Sequence, residues 1–550
     1  MFRRLSLVAM LLLSSWSFAV AQSAKVEADI KKVDDWATDS FKQYEREDAM
    51  ERLAASGEDA AISKLIELLN DDFANIRTAG ERVLVEAKGD ADKLLIDEGL
   101  GSKKDQVRIR AARVLGLRKA TAAVDALAKQ ARGDKLVAAR VTAAQALGRI
   151  GGDEAAEALR KILKAGDAAS GAAARSLGKD ADDDTAKSIA KLLKEKDWAA
   201  AVGAADGLAA CGADKFTKEL STAIPHKDWR VRIAVAQALA TVETVAEPEL
   251  FSDAYGELLE DKDWRVRRRT IEALVDLWQP LGAELLVARL ADEETALRYD
   301  IVHAMEDLTG QRFGYLPEAW QNWWKGQGRS KGLVARKPRP EYGWLRGPRG
   351  GETGEEGEGK TASYFDIPVL AQPTAFAFDM SGSMRDAVSK SDGRLRIDVA
   401  RGELAETLDN LPEGAPFNLV IYRYYSGFPV KTEVQRAFPK GVQDNNPKTI
   451  QQAKDWIGGM EALGWGAFYE GISAALEDTQ VQAVYFLSDG APSRGDFVQR
   501  EALIDALNEL RRFHPATIHT VLVGGGYRDE EFMSGMAKSC GGTFADARGK

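Results

Sequence analysis

Asp379, Ser381 and Ser383 place three oxygen-bearing side chains at alternate positions of the run Phe376-Ala377-Phe378-Asp379-Met380-Ser381-Gly382-Ser383-Met384. In a tight loop that spacing lets the three oxygens converge on one point. The run holds no thiol and no imidazole, so the chemistry it suits is coordination of a hard cation such as Mg2+ or Mn2+. A second acid, Asp489, closes another apolar run, Tyr485-Phe486-Leu487-Ser488.

Both acids need rigid elements behind them. The apolar stretches 374–378 and 483–487 read as buried strands. Further strands are expected at 417–422, 430–438, 517–523 and 543–545, and helices at 395–411, 447–460, 468–476, 499–513 and 530–539. Such alternation predicts a mostly parallel, doubly wound sheet with helices on both faces. Ligands of such sheets sit at the carboxyl ends of the strands, which is where Asp379 and Asp489 fall.

The strand that runs into Asp-Met-Ser-Gly-Ser-Met and the later Leu-Ser-Asp-Gly-Ala-Pro resemble the von Willebrand factor A family and its metal-ion-dependent adhesion site, over residues 362–550. The resemblance implies a Rossmann-like α/β fold. It implies Asp379, Ser381, Ser383 and Asp489 as contacts, direct or through water, to one Mg2+ or Mn2+. It further implies that an open coordination position takes an acidic residue of a protein partner. Trp465, Phe468 and Tyr469 flank the site, either as an apolar binding rim or as packing beneath the loop. One position departs from the family: Gly466 stands where a threonine is usual, so one side-chain oxygen is missing. Water could replace it, or the site is vestigial and the protein binds through its other surfaces.

The family binds rather than catalyses, and the sequence agrees with a non-enzymatic reading. No Ser-His-Asp order, phosphate loop or acid pair with a plausible base stands out, and His226, His303, His514 and His519 show no zinc spacing.

The region before residue 310 repeats itself. The apolar anchors Leu53, Leu84, Leu115, Leu147, Leu177, Leu208, Leu239, Leu274 and Met305 recur at steps of 30 to 35 residues. That period is the signature of a solenoid. Each unit has a turn with Asp and often Trp, then a helix with apolar or small residues three or four apart. The pattern resembles HEAT-like repeats, whose helix pairs bury their apolar faces only by stacking. Trp198, Trp229 and Trp264 recur at one place in successive units and read as repeat-packing residues. Arg108, Arg110, Arg230, Arg232, Arg265, Arg267, Arg268 and Arg269 read as rungs of an Asp–Arg ladder; a basic binding stripe is the alternative.

The chain of 550 residues is too long for a single core. Its net charge of −10 argues against a nucleic-acid partner. Residues 1–21 read as a secretory signal: Arg3 and Arg4, an apolar run, and the small-residue site Ala19-Val20-Ala21. The expectation is an exported protein, periplasmic or secreted, without a later membrane span. Residues 22–310 form the all-α solenoid of about nine repeats, 311–326 a cap with Trp320, Trp323 and Trp324 on one face, 327–361 a flexible linker, and 362–550 the α/β domain. Cys211 and Cys540 read as free thiols. The function expected is that of an exported interaction or scaffold protein with partners in the cell envelope or outside the cell.

Overall fold

The computed structural model describes residues 23–37, 42–293, 297–336, 362–370, 372–389, 393–412, 414–425 and 431–548. The expected signal segment, 1–21, and the later part of the expected linker, 337–361, lie outside them. The chain divides into two compact units, Met1–Ala223 and Ile224–Lys550.

The first unit is helical. Its helices follow each other in short steps, from Gln43–Ser56, Asp59–Leu68 and Ala74–Glu86 to Trp198–Gly212 and Thr217–Ser221. The anchors Leu53, Leu84, Leu115, Leu147 and Leu208 are wholly buried. Small residues set how closely the helices approach. A Cβ on Gly203 would lie 2.1 Å from the carbonyl oxygen of Gly171 in the neighbouring helix Ala168–Leu177, so only glycine fits there.

The Asp-Trp turns have a local cause. Asp197, Asp228 and Asp263 are helix N-caps, each accepting the backbone N–H two residues on, and the tryptophan opens the helix. Only some of the arginines form the ladder: Arg230 and Arg265 pair with Asp228 and Asp263 of their own turns, whereas Arg108 and Arg232 bridge to the next turn. In the first unit Arg108 reaches Asp134 at 2.7 Å and the carbonyl of Ser102 at 3.0 Å. In the second unit Arg232 bonds Asp261 in the same way, and also the carbonyl of His226 at 2.7 Å.

The second unit opens with helical repeats, Trp229–Leu239, Pro248–Leu259, Trp264–Leu277, Pro280–Arg289 and Leu297–Thr309. Helix Pro317–Trp323 follows and runs on into a π-helical turn, Trp324–Gly328. Trp320 and Trp324 are buried, and Phe313 lies edge-on to Trp320 at 4.9 Å. The stretch read as linker starts out folded. Val334 N–H donates to Leu308 O, Trp278 Nε1 donates to Val334 O, and Arg336 bonds Asp276 O at 2.7 Å.

The α/β domain contains nine strands among the described residues: β1 (Ser363–Tyr364), β2 (Ile367–Pro368), β3 (Thr374–Asp379), β4 (Pro416–Tyr425), β5 (Lys431–Arg436), β6 (Gln443–Asp444), β7 (Ala483–Ser488), β8 (Thr517–Leu522) and β9 (Gly541–Asp546). The main sheet runs β5-β4-β3-β7-β8-β9, with β6 beside β4. Pairs from β4 to β9 through β3, β7 and β8 are parallel, and β5 is an antiparallel edge. Strand alternation feeds two cores. Phe376 and Phe378 pack with helices Arg396–Asn410 and Pro447–Gly458, whereas Ala375 and Ala377 face helices Phe468–Glu477, Arg500–Phe513 and Tyr527–Ser539. This is the doubly wound layout expected.

The hairpin β1–β2 was not visible in sequence. Its two turn residues, Phe365 and Asp366, both have positive φ. Such a turn ordinarily favours Asn-Gly, so no local signal announced it.

Within this unit the sheet domain packs on the last repeats. Arg268 donates to Pro515 O at 2.5 Å and to Thr517 Oγ1 at 3.0 Å, and pairs with Asp300. Arg269 donates to the carbonyls of Arg511 and Arg512 at the end of helix Arg500–Phe513. Trp264 Nε1 donates to Thr479 O, and Trp229 meets Phe513 edge-on. Trp229 and Trp264 therefore do more than pack repeat on repeat: they face the sheet domain.

Candidate functional site

β3 leads through helix Arg396–Asn410 to β4 on one side, while β7 pairs with β3 on the other. The sheet thus changes direction at β3, and in doubly wound sheets such a switch point is where the crevice beyond the carboxyl ends of the strands lies. Register sets Phe378 beside Leu487, so Asp379 and Ser488 end neighbouring strands. Ser488 Oγ donates to Asp379 Oδ2 at 2.7 Å. Ser381 N–H donates to Asp379 Oδ1 at 2.8 Å, which folds the loop back on its own acid. The hydroxyls of Ser381 and Ser383 lie 3.1 Å apart.

Three loops build the crevice. The loop after β3 is tied to the one before helix Phe468–Glu477 through Leu463 N–H to Met380 O and Gly382 N–H to Gly464 O. That second loop is tied to the one after β7 through Ser493 and Arg494 N–H to Gly466 O. Asp379, Ser381 and Asp489 are buried. Burial pushes the Asp379 carboxyl up to about 7, with the charge of Asp489 adding to it and the bonds from Ser488 and Ser381 opposing. The structure therefore brings Asp379, Ser381, Ser383 and Asp489 together.

The flanking aromatics separate. Trp465 is half-buried, with the Arg494 guanidinium 5.2 Å from its ring centre. Tyr469 is half-buried and lies edge-on to Phe497 at 4.7 Å. Phe468 does not belong to a rim. It is wholly buried against Phe486 and Tyr422 at the start of its helix. Glu470, in that same turn, accepts the N–H of Asp496.

Two residues were missed in sequence. Ser488 had a signal, since it immediately precedes the second acid at a strand end. Arg396 had none. From the first turn of its helix it donates to Asp489 Oδ2 at 2.7 Å and to Ser383 O at 3.2 Å.

The donor set fits a hard divalent ion: two buried carboxylates and two hydroxyls, with no soft ligand among them. Gly466 is buried against the site, and a side chain there would be closely packed. A Cβ there would look onto Asp379 Oδ2 at 3.2 Å.

The family model for HEAT repeats matches residues 93–178 and 217–306. No curated protein matches the chain. Among solved structures, a von Willebrand factor type A protein from Catenulispora acidiphila is 18% identical, over 32% of this chain and 38% of that one, with a TM-score of 0.24. This chain thus spans well under half of that relative's length. The complex of CpcE and CpcF of phycocyanin lyase from a Nostoc species is 23% identical over 39% of this chain and 93% of that one, with a TM-score of 0.27. Human deoxyhypusine hydroxylase is 17% identical over 52% and 97%, with a TM-score of 0.20. At these scores none of the three carries an argument about function. The fold class is a helical-repeat region of HEAT type followed by an α/β domain with a mostly parallel, doubly wound sheet. No helix among the described residues is long and apolar enough to cross a membrane.

Proposed function

We propose that this chain is an exported protein-interaction scaffold. Its repeats carry an A-type domain whose crevice at the ends of β3 and β7 takes one Mg2+ or Mn2+ and, through it, an acidic residue of a partner in the cell envelope or outside the cell. The observation that carries this reading is the convergence of Asp379, Asp489, Ser381 and Ser383 at the switch point of the sheet. Asp379 and Asp489 would hold the ion, with the two serine hydroxyls completing its near side. A bound ion supplies an open, Lewis-acidic position for a carboxylate. Trp465 and Tyr469, partly exposed beside the crevice, offer apolar area to the same partner. Binding without turnover is part of the proposal. Export rests on the leader-like composition of residues 1–21.

A second reading is a scaffold with a vestigial site that binds through the repeats. Its support is the missing oxygen at Gly466 and the guanidinium on Asp489. Calorimetric titration of Mg2+ and Mn2+ into the full chain and its Asp379→Ala variant separates the two. One-site heat lost in the variant is expected. Absence of heat from folded wild-type protein would remove the metal-dependent reading in favour of the second.

A further inference from the structure

Arg396 occupies a prepared place. A Cβ on Gly524, which has a φ of +105°, would lie 2.4 Å from Arg396 Nε and 2.9 Å from its Cζ. The loop after β8 thus leaves a slot that a side chain at 524 would fill, and the guanidinium lies in it. From that slot Nη1 reaches Asp489 Oδ2 at 2.7 Å, and only 18% of the Arg396 side chain is exposed. Asp386 stands further off, at 3.8 Å and largely in solvent. Nε is buried without a partner among the described residues. Asp379, by contrast, is held by a hydroxyl and a backbone N–H and touches no cation among those residues.

We infer that Arg396 sets the metal affinity of this site. It is the site's own cation, paired with Asp489, and it has to withdraw when a divalent ion enters. This rests on the proposed metal-dependent reading and adds its regulation. The physical ground is competition. One oxygen of Asp489 cannot keep a short charge-assisted bond to a guanidinium and also face an ion of charge two. In a mostly buried crevice the two cations repel with little screening. The orphaned Nε lowers the cost of withdrawal, because that atom gives up no bond on leaving. Metal entry and Arg396 release are then linked, and whatever holds the arginine in the Gly524 slot weakens the metal.

The test is titration of Mg2+ and Mn2+ into the full chain as wild type, Arg396→Met and Arg396→Lys, with melting temperatures taken with and without metal. Methionine keeps the apolar stem; lysine keeps the charge without the fork. Arg396→Met should bind about tenfold tighter than wild type, with Arg396→Lys between them. The metal-induced rise in Tm should be largest for Arg396→Met, which loses the partner of Asp489 when metal is absent. Heat from Arg396→Met alone would uphold the competition while removing the metal-dependent reading of the wild-type protein. Equal or weaker binding by Arg396→Met, with wild type still binding, overturns the inference and leaves the proposed function standing. No heat and no Tm shift in any of the three removes both.

Discussion

Gly466 faces Asp379 directly: a Cβ on residue 466 would stand 3.2 Å from Asp379 Oδ2 and 3.3 Å from Phe468 Cε1. A side chain at 466 would therefore lie within reach of that acid. On the proposed function, Gly466→Thr should add a hydroxyl beside Asp379 and tighten Mg2+ binding by about tenfold. The two close neighbours have to shift by a few tenths of an ångström, so a loss of about 1 kcal/mol in stability is expected alongside. Calorimetry and urea unfolding read the two effects separately. Unchanged affinity would mean that the threonine oxygen does not reach the ion.

Arg268 binds the sheet domain at the end away from that crevice. Its partners Pro515 and Thr517 lie at the start of β8, whereas Asp379 lies at the far end of β3. Arg268→Ala leaves Asp300 buried and unpaired, a loss of about 3–5 kcal/mol for one-sided removal of a buried charge. Thermal unfolding of the full chain should split, the sheet domain and the last repeats melting apart. Metal affinity should stay as in wild type. A single unchanged transition would show that the apolar contacts of Trp229 and Trp264 suffice to hold the two together.

His519 should make part of the stability depend on pH. It is buried against Tyr485 with ring centres 4.6 Å apart, and its Nδ1 accepts the N–H of Thr543. Burial, with the charge of Arg268 adding, pushes it down to about 3 from an ordinary 6.5. Between those values the unfolded ring holds a proton that the folded ring does not. Its contribution is therefore complete above about pH 6.5 and is lost as the pH falls towards 3. Asp379 and Asp300, both raised to about 7 by burial, run in the opposite sense. The readout is thus the stability difference between wild type and His519→Gln. It should grow by about 1.4 kcal/mol per pH unit from pH 4 to 6. A difference that is flat with pH would contradict the assignment.

Arg108 tests the ladder. Its guanidinium joins Asp134 of the following turn to the carbonyl of Ser102, and both side chains are largely buried. Asp134 in turn accepts the N–H of Leu136. Arg108→Leu should cost about 3 kcal/mol, because it leaves that acid unpaired. The double variant Arg108→Leu, Asp134→Leu should recover part of the loss. Urea midpoints of the three variants against wild type give the coupling. No loss in the single variant would return these arginines to the role of a solvated stripe.

The sequence by itself determined what is local or periodic. The thirty-residue repeat, the Asp-bearing turns, the strand-to-loop position of Asp379 and Asp489, and the alternation of the longer strands with helices all follow from hydrophobic period and turn chemistry. Those act over a few residues and are written in order along the chain. Tertiary structure alone decided what depends on which distant atoms meet. Phe468 was placed in the core rather than on a rim. Trp229, Trp264 and Arg268 were turned towards a domain more than two hundred residues away. Arg396 was laid on Asp489 through a slot that exists only because residue 524 has no side chain. A guanidinium reaches its partner through a long, flexible stem. Its destination is set by the packing of separate elements, which no spacing in the chain encodes.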